Sequence, residues 1–348
     1  MNEAAMVSHL TTRALLYTHG DLDGIASAAV YIYLLRKKDE RAEFIVNFAE
    51  PGNLYKVLSS TLPEDLEGAT IAIMDLGLNP TSSDKILSIL GKISGKVKIE
   101  WFDHHVWSDS EVSNARNAGI SLFLERDTCA AGVVARHAFG GLEPYENLWV
   151  LVDAVCSSDL WKWDTPLSPL YYRAFGKREK KMKREILNLF SEGVIWSDYL
   201  SEAVEEYVNL ELKGYNIGLK RAKVLNLNGI NVVIVVKPKG PPNSSLLASF
   251  LMSRLDAEIA VVVREDGPVS LRSRGFDVNK IARCLGGGGH PMASGALLKI
   301  PIWMKVFSFF VPQLYRTLLE RSIAEKIKTC IASSQINPQS FNLLSTSS

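Results

Sequence analysis

Tyr17-Thr18-His19-Gly20-Asp21-Leu22-Asp23-Gly24 decides how this chain folds. An apolar run, Ala14 to Tyr17, precedes it and has the pattern of a strand; an Ala-rich run from Ile25 to Leu35 follows with the pattern of a buried helix. One histidine and two aspartates therefore stand on a strand-to-helix turn, and in open α/β sheets ligands bind at the carboxyl ends of the strands. Asp21 and Asp23 are separated by one residue, so extended backbone directs both carboxylates to the same side. Such a spacing can serve two neighbouring metal ions, one carboxylate for each. Gly20 and Gly24 let the backbone bend tightly. Taken alone, the stretch also fits an ordinary Asp-rich turn with an N-capping Asp. Later strand ends separate the two.

Glu43 to Phe48 has the pattern of a second strand. Ala69 to Met74 is a continuous apolar run of the buried parallel type, ending in Asp75 and followed by a Gly and Pro turn and a helix to Leu90. Val97 to Phe102 is the next strand, and it ends in Asp103-His104-His105. Alternation of this kind predicts a parallel α/β sheet. Strands that each terminate in Asp or His would gather carboxylates and imidazoles at one sheet edge. Buried carboxylates repel one another unless cations neutralise them, so a metal cluster is expected there.

The chain has 348 residues, 47% hydrophobic and 22% charged, enough for a sizeable core and for two domains. A net charge of +1 excludes a global electrostatic signature of nucleic-acid binding. Long strands need many phosphate contacts, so the charge favours short substrates. Cys129, Cys156, Cys284 and Cys330 lie far apart with no paired spacing and read as reduced, buried thiols, not as a zinc site or disulfide framework. Residues 1–13 lack a signal peptide's apolar core, and no uncharged apolar run reaches membrane-spanning length. These features predict a cytoplasmic protein with no membrane partner. The oligomeric state is left open, a homodimer included.

The chain resembles the DHH phosphoesterase superfamily, which includes RecJ-type exonucleases, oligoribonuclease and cyclic-dinucleotide phosphodiesterases, and manganese pyrophosphatases. The resemblance rests on four motifs in order: His19-Gly20-Asp21-Leu22-Asp23-Gly24, Asp75, Asp103-His104-His105, and an Asp within Val152 to Trp161, and it covers residues 14 to about 165. Gly286-Gly287-Gly288-Gly289-His290-Pro291-Met292-Ala293-Ser294-Gly295, preceded by the strand Val269 to Arg274, resembles the first subtype of DHH-associated C-terminal domain. Pyrophosphatases of the superfamily carry a different C-terminal domain. One departure is visible: many members place the first His four residues before the first Asp, whereas here Tyr17 holds that position and His19 lies two before Asp21.

The resemblance implies a two-metal phosphoesterase with its substrate in a cleft between lobes. His19, Asp21 and Asp75 would hold one ion, and Asp23, Asp75, His104 and Asp159 the other, with Asp75 bridging. Asp159, after Cys156-Ser157-Ser158, is preferred to Asp153 as the fourth-motif ligand. Mn²⁺ suits this oxygen and imidazole set, with Mg²⁺ as the alternative. His105 would donate to a phosphate or leaving oxygen, and Asp103 would orient its His neighbours. Arg272, Gly287, Gly288, Gly289 and His290 would contact the substrate, the glycine amides cradling an anion.

Three further stretches bear on function. Arg126 to Val133 is a small-residue turn into a helix, readable either as a phosphate-binding N-terminus or as an ordinary helix capped by Asp127 or Thr128. His137, inside that helix, reads as a packing or surface residue. The basic run Gly176 to Arg184 reads as a solvated helix face or as a contact to a nucleic-acid backbone.

The expected organisation is a parallel-sheet α/β DHH domain over 1–175, a helical connector over 176–224, a smaller α/β substrate-binding domain over 225–300, C-terminal helices over 301–333, and a disordered Ser- and Asn-rich tail over 334–348. The expected activity is exonucleolytic hydrolysis of short oligonucleotides or single-stranded nucleic acid. The alternatives are a nucleotide phosphatase or a linear or cyclic dinucleotide phosphodiesterase, and a non-catalytic member that binds nucleic acid or a replication factor.

Overall fold

The computed structural model describes residues 12–66, 68–79, 81–176, 180–301, 304, 308 and 310–333. The tail expected to be disordered, 334–348, lies outside the described residues. The chain divides into two compact units, Met1–Glu205 and Glu206–Ser348.

The first unit is built on five parallel strands: β1 (Arg13–His19), β2 (Glu43–Ala49), β3 (Ala69–Met74), β4 (Lys98–Asp103) and β5 (Ser121–Leu124), in the order β2-β1-β3-β4-β5. Parallel strands need crossovers, and helices supply them on both faces. Alternating side chains divide accordingly. On β1, Leu15 and Tyr17 pack with Leu54 and Leu58 of α2 (Leu54–Thr61) and Ile86 and Leu90 of α3 (Ser83–Ile93). Ala14 and Leu16 face the other core, with α1 (Leu22–Lys38). After β4 come α4 (Asp109–Asn117), α5 (Ala130–His137), α6 (Leu148–Asp159) and α7 (Ser168–Ala174).

α1 is buried along most of its length because α5, α6 and α8 (Lys180–Ser191) surround it. Small residues, Ala26, Ser27, Ala28 and Ala29, permit that close packing. The helices expected between the domains are α8 and α9 (Asp198–Arg221). α8 contributes Met182, Ile186, Leu187 and Phe190 to the first unit's core, and α9 runs across the division at Glu205 and Glu206.

The second unit has six strands in the order β10-β11-β9-β8-β7-β6: β6 (Lys223–Leu227), β7 (Ile230–Lys237), β8 (Ile259–Arg264), β9 (Pro268–Ser273), β10 (Gly288–His290) and β11 (Ala293–Leu297). β7 and β8 pair in parallel, and α10 (Ser244–Leu255) makes the crossover. The other neighbours are antiparallel. Asn228-Gly229 closes the β6–β7 hairpin with φ of 55° and 83°, as a two-residue turn with both φ positive requires. α10 covers one face, and α11 (Val278–Cys284) with α12 (Pro312–Ser333) covers the other. No described helix is long and apolar enough to cross a membrane.

The cysteines overturn one expectation. They are not reduced thiols: Cys129 is bonded to Cys156 and Cys284 to Cys330, with Cα atoms 4.9 and 5.8 Å apart. Separations of 27 and 46 residues leave no spacing signal in the sequence, and helix packing brings each pair together.

Candidate metal centre

The candidate ligands stand where parallel strands stop. His19 ends β1, Asp75 directly follows β3 and Asp103 ends β4. The chain leaves β1 towards β2 on one side and β3 on the other, so these carboxyl ends flank the crevice where the strand order reverses. Asp75 has φ of 55°, a left-handed conformation that costs a non-glycine residue about 1–2 kcal/mol.

Asp75 lies between two imidazoles. Its Oδ2 is 3.5 Å from His19 Nδ1, and its Oδ1 is 3.5 Å from His104 Nε2. On one side His19 Nδ1 is 2.9 Å from Asp21 Oδ2. On the other, His104 Nε2 is 3.7 Å from Asp23 Oδ2 and 3.6 Å from Asp159 Oδ2. Ligand atoms of His19, Asp21 and Asp75 all lie within 4.8 Å of one another, as do those of Asp23, His104 and Asp159, and those of Asp75, His104 and His105.

Asp159, not Asp153, is the fourth-motif residue in this cluster. Asp153 lines a separate pocket with Asp127, Arg136 and Asp164. Tyr17, at the position where many relatives carry His, is fully buried in the opposite core, its hydroxyl 3.0 Å from Thr61 Oγ1.

These residues fit divalent cations. Asp75 Oδ2 is buried without a hydrogen bond, an unusual state for a carboxylate oxygen. Burial, then the Asp75 and Asp159 carboxylates, push Asp23 well above the ordinary carboxylate range. Burial also raises Asp75, and lifts Asp159 to about 6. The contacts with Asp21 and Asp75 raise His19 to about 11. Both kinds of shift report excess negative charge, which a bound cation would relieve. Oxygen and imidazole donors in combination suit Mn²⁺ or Mg²⁺.

Neighbouring groups hold the ligands in place. Asp23 accepts hydrogen bonds from the amides of Ala130 (2.8 Å) and Ala131 (2.9 Å) at the start of α5. The N-terminus of α5 thus holds an anion, but that anion is Asp23. Neither Asp127 nor Thr128 caps the helix; Cys129 is the N-cap and offers no side-chain bond. Asp23 lies 107 residues before Ala130, beyond the reach of local sequence patterns. Asp103, fully buried, accepts from His105 Nδ1 and Trp107 Nε1, each at 2.7 Å. It therefore orients His105 and not both histidines, and this contact raises His105 to about 9. His137 pairs with Glu125 and Arg136 does the same, so His137 is a surface partner.

Two residues of the site were missed in the sequence. Glu50 directly follows β2, and its Oε2 is 2.8 Å from His19 Nε2. It too is an acid at a strand end, followed by Pro51-Gly52, so the signal that marked Asp75 was present. Lys183, from the basic run, sits beside the first motif: a Cβ on Gly20 would stand 2.4 Å from its Nζ. Among the described residues Lys183 forms no ion pair, and its ammonium lies 5.6 Å from the Phe48 ring centroid. Gly24 is required sterically, since a Cβ there would lie 2.4 Å from the His19 carbonyl oxygen.

In the second unit, Arg272 donates to Ser245 Oγ at 2.5 Å and to the Leu271 carbonyl at 2.8 Å. The glycine run is not a free anion cradle. The Gly286 and Gly287 amides donate to the Arg283 and Ala282 carbonyls, closing α11. Gly288, Gly289 and His290 form the exposed edge strand β10. A Cβ at Gly287 would lie 2.1 Å from the Gly295 carbonyl oxygen, so this glycine permits the close approach of β11.

Residues 229–305 match the DHHA1 domain. RecJ in complex with Mn²⁺ from Thermus thermophilus has a TM-score of 0.57 at 13% identity, over 92% of this chain and 52% of that one. Residues 229–305 are thus a DHHA1 domain. The pGpG-specific phosphodiesterase PggH from Vibrio cholerae has a TM-score of 0.51 at 16% identity, over 87% of this chain and 98% of PggH. A second structure, exonuclease RecJ bound to manganese, has a TM-score of 0.52 at 14% identity, with 90% of each chain covered. At these identities the likeness is one of fold. No curated protein matches the chain. The RecJ neighbours are complexes with Mn²⁺ or Mg²⁺.

Proposed function

We propose that this chain is a two-metal phosphoesterase that hydrolyses short oligonucleotides or single-stranded nucleic acid from an end. The observation that carries the proposal is Asp75, whose two oxygens face His19 on one side and His104 on the other. His19, Asp21 and Asp75 would hold one divalent cation, and Asp23, Asp75, His104 and Asp159 the second. When bound, the ions supply Lewis-acid activation of water and neutralise charge on the phosphate.

The side chains prepare the rest. Asp23 is fixed by the α5 amides, and Glu50 holds His19 by Nε2, leaving Nδ1 towards Asp21 and Asp75. His105, raised to about 9, is an imidazolium at neutral pH. Its Nδ1 is engaged by Asp103, leaving Nε2–H to donate to a phosphate oxygen and then to the leaving oxygen. The water oxygen forms the new P–O bond and releases a proton to solvent, the ester P–O bond breaks, and the departing oxygen takes its proton from His105, which solvent reprotonates. Lys183 offers a further positive charge to the phosphate beside Gly20. Arg272, Gly288, Gly289 and His290 are the proposed substrate contacts of the DHHA1 unit.

A Mn²⁺-dependent hydrolysis panel tests this: the dinucleotide pApA, short and long RNA and DNA strands, cyclic di-AMP, and adenosine 3′,5′-bisphosphate. Mononucleotide release from short strands is expected. Turnover of cyclic di-AMP or of the bisphosphate alone would replace the proposal with a narrower phosphodiesterase or a nucleotide phosphatase. No turnover by metal-loaded protein would leave a binding protein.

A further inference from the structure

Two residues beyond the candidate ligand Asp159 lies an aromatic group that the metal chemistry does not use. Trp161 and Trp163 pack edge to face with ring centroids 4.7 Å apart, and Tyr172 lies 5.5 Å from Trp163 and 6.5 Å from Trp161. α6 ends at Asp159. The Leu160 amide bonds to Cys156, and the Lys162 and Trp163 amides both turn back to the Ser157 carbonyl. This closure requires left-handed backbone: φ is 59° at Trp161 and 56° at Trp163. Glycine or asparagine normally holds such positions, because a Cβ is strained there. A bulky residue with positive φ is a true outlier, and such strain concentrates at functional sites.

Core packing does not explain the two indoles. Trp161 is 48% exposed, and neither Trp161 nor Trp163 belongs to a buried cluster. Among the described residues neither indole N–H has a hydrogen-bond acceptor, so both remain available as donors. The Trp161 Cα lies within about 7 Å of the Asp159 Cα, since two residues of chain can span no more. The backbone that carries this exposed aromatic group is therefore continuous with Asp159, which with Asp23 and His104 would hold a metal and a phosphate.

We infer that Trp161, supported edge-on by Trp163 and Tyr172, is a stacking platform for the nucleobase of a nucleotide bound at the metal centre. This rests on the phosphoesterase proposal for the location of the phosphate. It narrows the substrate class to nucleotides, because a platform of this kind has nothing to grip in an inorganic phosphate chain. Stacking accepts any base, since every base presents a π face.

The test is calorimetric and independent of turnover. Mn²⁺-loaded protein is titrated with AMP and with ribose 5-phosphate, which lacks the base. The wild type should bind AMP about tenfold or more tightly than ribose 5-phosphate. Trp161→Gly removes the ring and relieves the positive φ, so it should fold at least as stably as the wild type; it should lose the preference for AMP while keeping its affinity for ribose 5-phosphate. Trp161→Phe should retain most of the preference. The same pattern in a chain that fails to hydrolyse pApA would sustain the platform and end the hydrolysis proposal. Equal affinities of wild type and Trp161→Gly for AMP, or no wild-type preference for AMP over ribose 5-phosphate, would overturn the platform.

Discussion

His19 Nε2 and Glu50 Oε2 lie 2.8 Å apart, so a carboxylate from the neighbouring strand holds the ring whose other nitrogen faces Asp21 and Asp75. A metal-binding histidine commonly gives its second N–H to such a group, which fixes the tautomer and the ring orientation. Here that support accompanies a histidine at an unusual spacing. Glu50→Ala should weaken Mn²⁺ affinity about 10-fold to 100-fold, and Glu50→Gln, which keeps an acceptor oxygen, should weaken it less. Paramagnetic Mn²⁺ titration reads both; unchanged affinity in Glu50→Ala would rule out the supporting role.

Asp75 is the residue that the proposal assigns to both metal ions, its two oxygens facing His19 and His104. Asparagine tolerates its left-handed backbone, so Asp75→Asn should fold normally. It should lose the charge between His19 and His104, reducing hydrolysis by roughly two orders of magnitude or more and lowering the metal content. Elemental analysis beside the hydrolysis panel distinguishes the two effects. Near-wild-type turnover would sink the two-metal mechanism.

The Cys129–Cys156 bond joins the first turn of α5, whose amides hold Asp23, to the helix that ends in Asp159. It closes a loop of 27 residues, for which the chain-entropy account expects about 3–4 kcal/mol of stabilisation. The Cys129→Ala and Cys156→Ala double variant should therefore melt at a lower temperature than the oxidised wild type. Equal melting of oxidised and reduced wild type would show that the bond does not constrain the unfolded chain.

Lys237 ends β7 with 3% exposure, its ammonium donating to the Gly240 carbonyl at 2.5 Å. Burial, and then nearby Arg264, lower it from 10.5 to about 8. The folded chain therefore binds fewer protons than the unfolded chain between these values. The resulting stability is present above pH 10.5 and is lost as pH falls through 8. Charging this group at pH 7 costs the fold about 3 kcal/mol at most. Lys237→Met should be more stable than wild type at pH 7, by roughly 1–3 kcal/mol after the lost hydrogen bond, with the difference shrinking towards pH 10. Urea unfolding at both pH values measures this, and a pH-independent difference would refute it.

Strand ends were legible in the sequence because period and composition are local. Ala69 to Met74 is apolar without interruption, so it had to be a buried parallel strand, and Asp75 had to stand at its carboxyl end. The same logic was available for Glu50 after Phe48-Ala49, but a single acid carries no motif, and its role appears only when β2 lies beside β1. The cysteine pairs, the Asp23 clamp on α5 and the pocket that separates Asp153 from Asp159 had no local signal at all.

The sequence by itself determined the first four strands of the parallel sheet and the identity of the Asp and His residues at their ends, because hydrophobic periodicity and turn chemistry act over a few residues. Only the tertiary structure decided which of them meet. It set Asp75 between His19 and His104, turned Asp103 towards His105 and Trp107, engaged the Gly286 and Gly287 amides in closing α11, and placed Trp161 in left-handed backbone beside Asp159. The Asp75 contacts join segments that lie far apart along the chain. Helix packing and parallel crossovers bring them together, and neither leaves a local mark in the sequence.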